Sequence, residues 1–408
     1  MLHAVVDISA DTIGRYKEMN AELVNTAWLT DQDYPPEAWK EKGSSLWFSV
    51  PAEYGKYLVT ERSDAFVMML FWYAMVSGSD ICFESPLSKR LYNGLTLKLI
   101  PALAKDGFRQ IRLEGPVTDE PIWHEGGVVT GMSCGVDSLY TLRCYGGEDA
   151  PEGMRITHLA YYSCNGLLPR VKAPYDLDAI YEKAGRRHVQ AVEKARAIAA
   201  ERGLTFIDVH SNMDRDCYRG GLVFTAMYRY LACTLALSHL YSTYISSSSG
   251  NEGLGEASVT CGTQVYEDLI TESSCTETLS YVSSGREKRT EKLRALADDA
   301  DAQNCLTVCF NLDDNGDNCG ECSGCWKTMI PLDIMGKLKG FGRRFDLDKY
   351  YSNRKKVFED LVRFSQRPEA SQYRDIVRQC AELAEEEKSE AGREFLEVRE
   401  KTPGMSGN

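Results

Sequence analysis

The sequence predicts an α/β protein built on a parallel sheet with helices on both faces. Two observations carry this. From about residue 126, short apolar strand-like runs alternate with helix-like runs, the pattern of parallel strands joined by crossover helices. The 408-residue chain is 43% hydrophobic and 26% charged, an ordinary balance for a globular protein with a sizeable core in two or three domains.

The elements follow in order. Residues 1–125 mix strands and helices and read as an α+β extension. LWFSV (46–50) reads as a strand. Residues 63–78 read as a helix capped by Ser63 or Asp64 and stopped by Gly78. Its apolar run, 65–76, is too short to span a bilayer and reads as a buried core helix. FRQIRLEG (108–115) alternates apolar and polar residues as a half-buried strand does.

Residues 126–304 hold the parallel-sheet domain. GGVVTGM is its first strand and DSLYTLRCYG starts a helix. Residues 157–163 are a second strand, and 184–203 a helix ended by Gly203. A third strand covers 204–210, a buried helix 222–241, a fourth strand 242–250 and another helix 290–300. Ligands in such sheets bind outside the carboxyl ends of the strands. Residues 305–345 are a cysteine-rich segment. Residues 346–408 read as helical, with 383–401 a solvated surface and the last residues frayed. There is no internal repeat.

The net charge of −13 counts against a protein whose main work is gripping nucleic-acid backbone. The first residues lack a basic start and an apolar signal core, so the expected location is cytoplasmic, with no membrane.

Two stretches carry chemistry. The first is TGMSCGVDSLYTL (130–142), where Ser133, Cys134, Gly135, Val136, Asp137 and Ser138 join a strand to a helix. Backbone N–H groups at a helix start have no internal acceptor, and the helix dipole adds positive charge there. Small residues let phosphate oxygens approach, and the two serines add hydroxyls. Asp137 does not favour bare phosphate, so it implies a bridging Mg²⁺ or a role in holding the loop. An ordinary tight turn is the alternative. The stretch is neither a Walker A loop nor a dinucleotide fingerprint. It resembles the Ser-Gly-Gly-x-Asp-Ser loop of the PP-loop (N-type ATP pyrophosphatase) superfamily, with Cys134 where that family usually has glycine.

The second stretch, 306–329, places Cys309, Cys319, Cys322 and Cys325 at C-x9-C-x2-C-x2-C spacing, among 14 cysteines in all. Closely spaced thiolates suit tetrahedral Zn²⁺ in a closed structural site. A Cys₄ iron–sulfur cluster is the chemical alternative.

Together the two stretches resemble the 7-cyano-7-deazaguanine (preQ0) synthase family over roughly 126–335, and the chain reads as a divergent relative of it. The resemblance implies an ATP-dependent C–N ligase. It would adenylate a carboxylate, release AMP and pyrophosphate, and form an amide or nitrile, with ATP, Mg²⁺ and structural Zn²⁺ as cofactors. Carried over by position, the 133–138 turn cradles the β and γ phosphates, and Asp137, Ser138 and Lys292 serve catalysis. Tyr161, Tyr162 and Ser163 flank the adenosine, SSSSG (246–250) lines the acyl side, and Arg289 faces the phosphates. A solvated helix face is the alternative for Arg289 and Lys292, and core packing for the tyrosines.

The family's substrate-pocket sequence is absent, and TESSCTETLSYVSSG (271–285) stands in its place. The acyl substrate is therefore open between a deazaguanine precursor, another carboxylic acid, and a partner protein or peptide. The oligomeric state is open too, with a homodimer among the options. The alternatives are a tRNA-thiolating sulfurtransferase, using Cys134, Cys164, Cys217, Cys261 or Cys275, and a non-catalytic ATP-binding subunit. Each of these cysteines also reads as an ordinary buried residue.

Overall fold

The computed structural model describes residues 3–9, 20–23, 26–30, 45–163, 177–211, 213, 226–250, 266–309, 316–367 and 370–402. Among the described residues thirteen strands follow in chain order. β1 is His3–Ser9, β2 Asn20–Leu23, β3 Thr26–Thr30, β4 Ser45–Pro51, β5 Asp80–Phe83, β6 Leu87–Ser88 and β7 Leu113–Glu114. β8 is Val117–Thr118, β9 Gly127–Gly131, β10 His158–Ser163, β11 Thr205–Ser211, β12 Tyr241–Ser247 and β13 Ser280–Ser284.

Eight of them form one sheet in the order β13-β12-β9-β10-β11-β4-β1-β3. The first five are mutually parallel, and β4, β1 and β3 continue the sheet antiparallel. The α/β class and the parallel core are as expected. The fifth parallel strand, β13, lies within 271–285, where no strand is expected from the sequence.

The change of rhythm near 126 does not mark a break in the core. β4 pairs with β11 through His210–Ser49 and Ser211–Phe48, so the amino-terminal region extends the same sheet. The helix Asp64–Ser77 packs on the helix Ala226–Leu235 over one face of that sheet. Its residues Phe66 to Phe71 are essentially inaccessible, as a helix apolar all round must be. Gly78, at φ 75°, ends it in the left-handed conformation that glycine adopts freely.

Alternate residues of each strand feed two cores. Val129, Ala160, Ile207 and Tyr244 face the helices 64–77 and 226–235. Val128, Leu159 and Ile245 face the helix Val136–Tyr145, the helix Leu177–Glu201 and the carboxyl-terminal helices. The result is a sheet sandwiched between two helical layers.

Three expectations differ. Only Leu113–Glu114 of 108–115 pairs as a strand. The Arg109 N–H is used instead by the Met75 carbonyl at the end of the long apolar helix. The helix expected over 222–241 is described over Ala226–Leu235, and turns lead from it to Tyr241. The stretch 383–401 is not wholly solvated, because Leu383, Ala384, Ala391, Phe395 and Val398 are buried. The helices Ser371–Glu387 and Glu390–Lys401 form a hairpin with an apolar inner face and a charged outer one. The last residues, 403–408, lie outside the described residues. No helix among the described residues is long and apolar enough to cross a membrane.

Candidate functional site

The turn after β9 is built by one unusual backbone conformation. Cys134 has φ 57°, the left-handed region that glycine tolerates and other residues enter at a cost of about 1–2 kcal/mol. The chain then straightens at Gly135 and enters the helix Val136–Tyr145. Cys134 is buried, and its carbonyl accepts the Thr307 N–H at 2.8 Å. The side chain therefore points into the core, and the peptide is held from behind.

The turn's hydroxyls organise one another. Ser133 Oγ lies 3.3 Å from Ser138 Oγ and accepts the Gly135 N–H at 3.3 Å. Ser138 Oγ donates to the Gly135 carbonyl at 3.1 Å. The Leu139 N–H is the first to close a helical bond, to the Gly135 carbonyl. No backbone acceptor is found among the described residues for the N–H groups of Val136, Asp137 and Ser138. Three donors thus sit at the carboxyl end of a central parallel strand, where the helix dipole favours an anion.

Around this turn stand charged groups from distant parts of the chain. Lys292 is 1% exposed; its ammonium donates to Asp137 Oδ1 at 2.7 Å and to the Ser248 carbonyl at 2.8 Å. It is not on a solvated face. Gly285, at φ 80° after β13, lies beside Lys292 and Tyr140, and its left-handed backbone is what favours glycine there. Arg289 lies at the start of the helix Arg289–Leu296 and is half-buried. Its Nε and Nη2 donate to the Lys327 carbonyl and to Thr328 Oγ1. Burial lowers its pKa, opposed by the charge of Asp137.

Glu267 completes the surroundings. It is buried and accepts from the Ser249 N–H at 3.2 Å and from Ser249 Oγ at 3.0 Å. Burial raises its pKa, and the nearby Asp137 charge adds to the rise. It belongs to the short helix Glu267–Ser273, for which the sequence carries no periodic signal.

The residues ending β10 divide between the two faces. Tyr161 lies on the Cys134 side. Ser163 faces Asp208 and donates to its carboxylate, and His210 Nε2 sits 3.0 Å from the same carboxylate. Tyr162 packs on the other side, with its ring stacked 5.3 Å from Tyr230 and its hydroxyl 3.0 Å from Thr234 Oγ1. Its ring is a core element there and does not share the face of the turn. Cys275 is buried and bonded within its own turn. Cys164, Cys217 and Cys261 lie outside the described residues.

The cysteine cluster is closed. The sulfur atoms of Cys309, Cys319, Cys322 and Cys325 all lie within 4.8 Å of one another. Three of the separations are 3.5, 3.7 and 4.0 Å. A tetrahedral ion with metal–sulfur bonds of about 2.3 Å needs sulfurs about 3.8 Å apart, so the donor set fits zinc. The Cys319 N–H points at Cys309 Sγ and the Glu321 N–H at Cys319 Sγ, as in thiolate sites stabilised by outer donors.

The cluster is tied to the turn. Asn318 is buried, accepts the Val308 N–H and donates to the carbonyls of Leu306 and Arg344. Arg344 in turn donates to the carbonyls of Leu306 and Gly316. The same short segment that carries Thr307 to the Cys134 carbonyl leads into Cys309. Lys194, from the helix Leu177–Glu201, donates to the Gly316 carbonyl at 2.7 Å; burial lowers its pKa. Compared with known protein families, curated proteins and solved structures, the chain matches none.

Proposed function

We propose that this chain is an ATP-dependent ligase of the PP-loop kind. It adenylates a carboxylate and passes the acyl group to nitrogen, giving an amide or a nitrile. The observation that supports this reading is the set of outward N–H groups of Val136, Asp137 and Ser138 beside buried Lys292 and half-buried Arg289. Fixed donors aimed at oxygens that gain charge are the main means by which proteins stabilise a leaving pyrophosphate.

A carboxylate oxygen attacks the α phosphorus of ATP. The bond to the α–β bridging oxygen breaks, and pyrophosphate leaves with the electron pair. Ammonia attacks the acyl carbon of the adenylate, AMP departs, and the nitrogen loses a proton. In a second round the amide oxygen displaces pyrophosphate from another ATP, and loss of AMP and of both nitrogen protons leaves the nitrile.

In this reading the 133–138 turn and Arg289 take the β and γ oxygens, and Mg²⁺ travels with the triphosphate. Lys292 holds Asp137 and hence the turn. Tyr161 and Ser163 stand beside the adenosine, and residues 246–250 line the acyl side. Zinc in the four-cysteine site keeps the fold and leaves no position open for chemistry. The acyl substrate is a deazaguanine-type acid or the carboxyl group of a partner peptide.

An ¹⁸O-labelled carboxylate tests the reading, incubated with ATP, Mg²⁺, ammonium and the protein. Adenylation carries one label into the AMP phosphate. AMP without label, or no AMP with any carboxylate tried, sinks the reading in favour of a sulfurtransferase or a binding-only subunit.

A further inference from the structure

Residues 119–126 run from β8 to β9 as a strap without helix or strand, and most of its side chains are exposed. Its backbone is nevertheless pinned from distant parts of the chain. Arg62 Nη2 donates to the Glu120 carbonyl at 2.8 Å. The Ile122 N–H donates to Thr278 Oγ1 at 2.9 Å, and the Glu125 N–H to the His239 carbonyl at 2.9 Å. The Trp123 carbonyl lies 2.8 Å from His239 Nδ1, and the two rings stack with centroids 4.2 Å apart. The other ring nitrogen, His239 Nε2, lies 2.9 Å from Glu61 Oε1. The second Glu61 oxygen accepts the Thr60 N–H at 3.1 Å.

This geometry fixes the charge of the ring. A carbonyl oxygen only accepts, and so does an ionised carboxylate, so both nitrogens must donate and the ring must be an imidazolium. A neutral ring turns a lone pair onto one of the two acceptors. The His239 side chain is 6% exposed, so water does not easily fill the gap. Other charged groups stand around it without pairing with it. Arg62 is turned to the Glu120 carbonyl, and Lys56 lies over the Tyr57 ring, which is 6.2 Å from Trp123. His124 and Glu125 are exposed on the strap, and buried Asp64 feels the Glu61 charge. Burial opposes the charge on His239, but Glu61 and the Trp123 carbonyl outweigh it and raise its pKa above the ordinary 6.5. The bond from His239 holds Glu61 down to about 2 from 4.5. The raised imidazole grips fully below 6.5 and lets go as pH climbs through its folded value; the lowered carboxylate grips above 4.5 and lets go towards 2. Both grip between those limits.

We propose that His239 is a pH-sensitive latch: as an imidazolium between Glu61 and Trp123 it pins the 119–126 strap over the joint between the amino-terminal region and the parallel sheet, and on losing its proton it releases the strap. The strap leads directly into β9, which ends in the 133–138 turn, and Thr278 leads into β13. Release therefore loosens the entry to both strands in mildly alkaline conditions. The latch stands independently of the ligase reading.

The test is an NMR titration of the full-length protein with ¹⁵N in its six histidine rings, together with amide exchange of the strap. At about pH 6 both His239 nitrogens are expected to carry protons, with a titration midpoint above that of a free histidine. Between about pH 6 and 9, protection of the Ile122 and Glu125 amides, corrected for the intrinsic exchange rate, is expected to fall about tenfold or more. Glu61→Gln, at an exposed position, should lower the midpoint and level the protection, because its amide can donate to the neutral ring. His239→Gln identifies the ring signal; if it does not fold, Glu61→Gln carries both readouts. A ring already neutral at about pH 6, or the same midpoint and exchange profile in Glu61→Gln as in wild type, overturns the inference. Loss of the pH dependence in Asp64→Asn instead assigns it to that carboxyl and overturns the inference too.

Discussion

The turn at 133–138 and the cysteine segment at 309–325 use the same backbone device for opposite ligands. Each contains left-handed residues, Cys134 at φ 57° in one, Gly316 at 75° and Gly320 at 72° in the other. In the turn, the device aims N–H donors outward and suits an anion. In the cysteine segment it folds four sulfur acceptors inward and suits a cation. The difference lies in which groups the turn exposes. The two regions are then joined through Thr307 to Cys134 and through Arg289 to Lys327 and Thr328.

Disabling the four-cysteine site is expected to have the largest effect. Structural zinc in small knuckles contributes about 10–16 kcal/mol of apparent folding free energy. Cys322→Ser is expected to lower metal content, solubility and melting temperature together, read by metal analysis and scanning calorimetry. Protein that purifies folded and metal-free would end the knuckle account.

The next effect is on the turn itself. Lys292→Met leaves Asp137 without its partner beside a buried site, and breaking such a pair costs about 3–5 kcal/mol. Denaturant unfolding should show that loss, and adding Asp137→Asn should recover part of it. A single variant as stable as wild type would mean that the pair does not hold the turn.

A third carboxyl, outside the site, is buried without any cationic partner among the described residues. Asp64 is buried with a backbone donor, the Ser88 N–H at 2.8 Å, in place of an ammonium. Burial pushes it up to about 7 from an ordinary 3.8. The raised value means the folded state holds the proton more tightly than the unfolded chain does. The associated stability is full below about pH 4, declines as pH rises and is gone above about pH 7. Asp64→Asn should therefore stabilise the protein by about 2–4 kcal/mol at pH 8 and by little at pH 4. Melting curves at the two pH values check it; an equal shift at both contradicts the assignment.

Cys134→Gly is the mildest change. It relieves the left-handed strain and loses a small buried side chain, so stability should move by less than about 1 kcal/mol. Turnover should persist if the residue acts only through its backbone. Loss of turnover with intact ATP binding would make the thiol a chemical participant.

Much of this was legible in the sequence where a pattern is local. Strand–turn–helix alternation announced β9 to β12 and the turn, and the spacing of Cys309, Cys319, Cys322 and Cys325 announced the cluster. What was hidden depends on packing across distant segments. β4 carries no sign that it joins the parallel sheet, because its antiparallel pairing with β11 uses only backbone groups. β13 lies in a Ser- and Thr-rich stretch with little apolar alternation. Arg289 and Lys292 read equally well as a solvated face until the helix is seen with Lys292 buried. Glu267 follows a segment without periodicity. Tyr161 and Tyr162 are adjacent in sequence, yet a strand turns them to opposite faces.

The most direct measurement is which phosphate bond of ATP the metal-loaded protein breaks, followed by ³¹P NMR in the presence of Mg²⁺, ammonium and carboxylates. An adenylating ligase gives AMP and pyrophosphate in equal amounts, dependent on a carboxylate. ADP and inorganic phosphate, or ATP left intact with every carboxylate supplied, would contradict it.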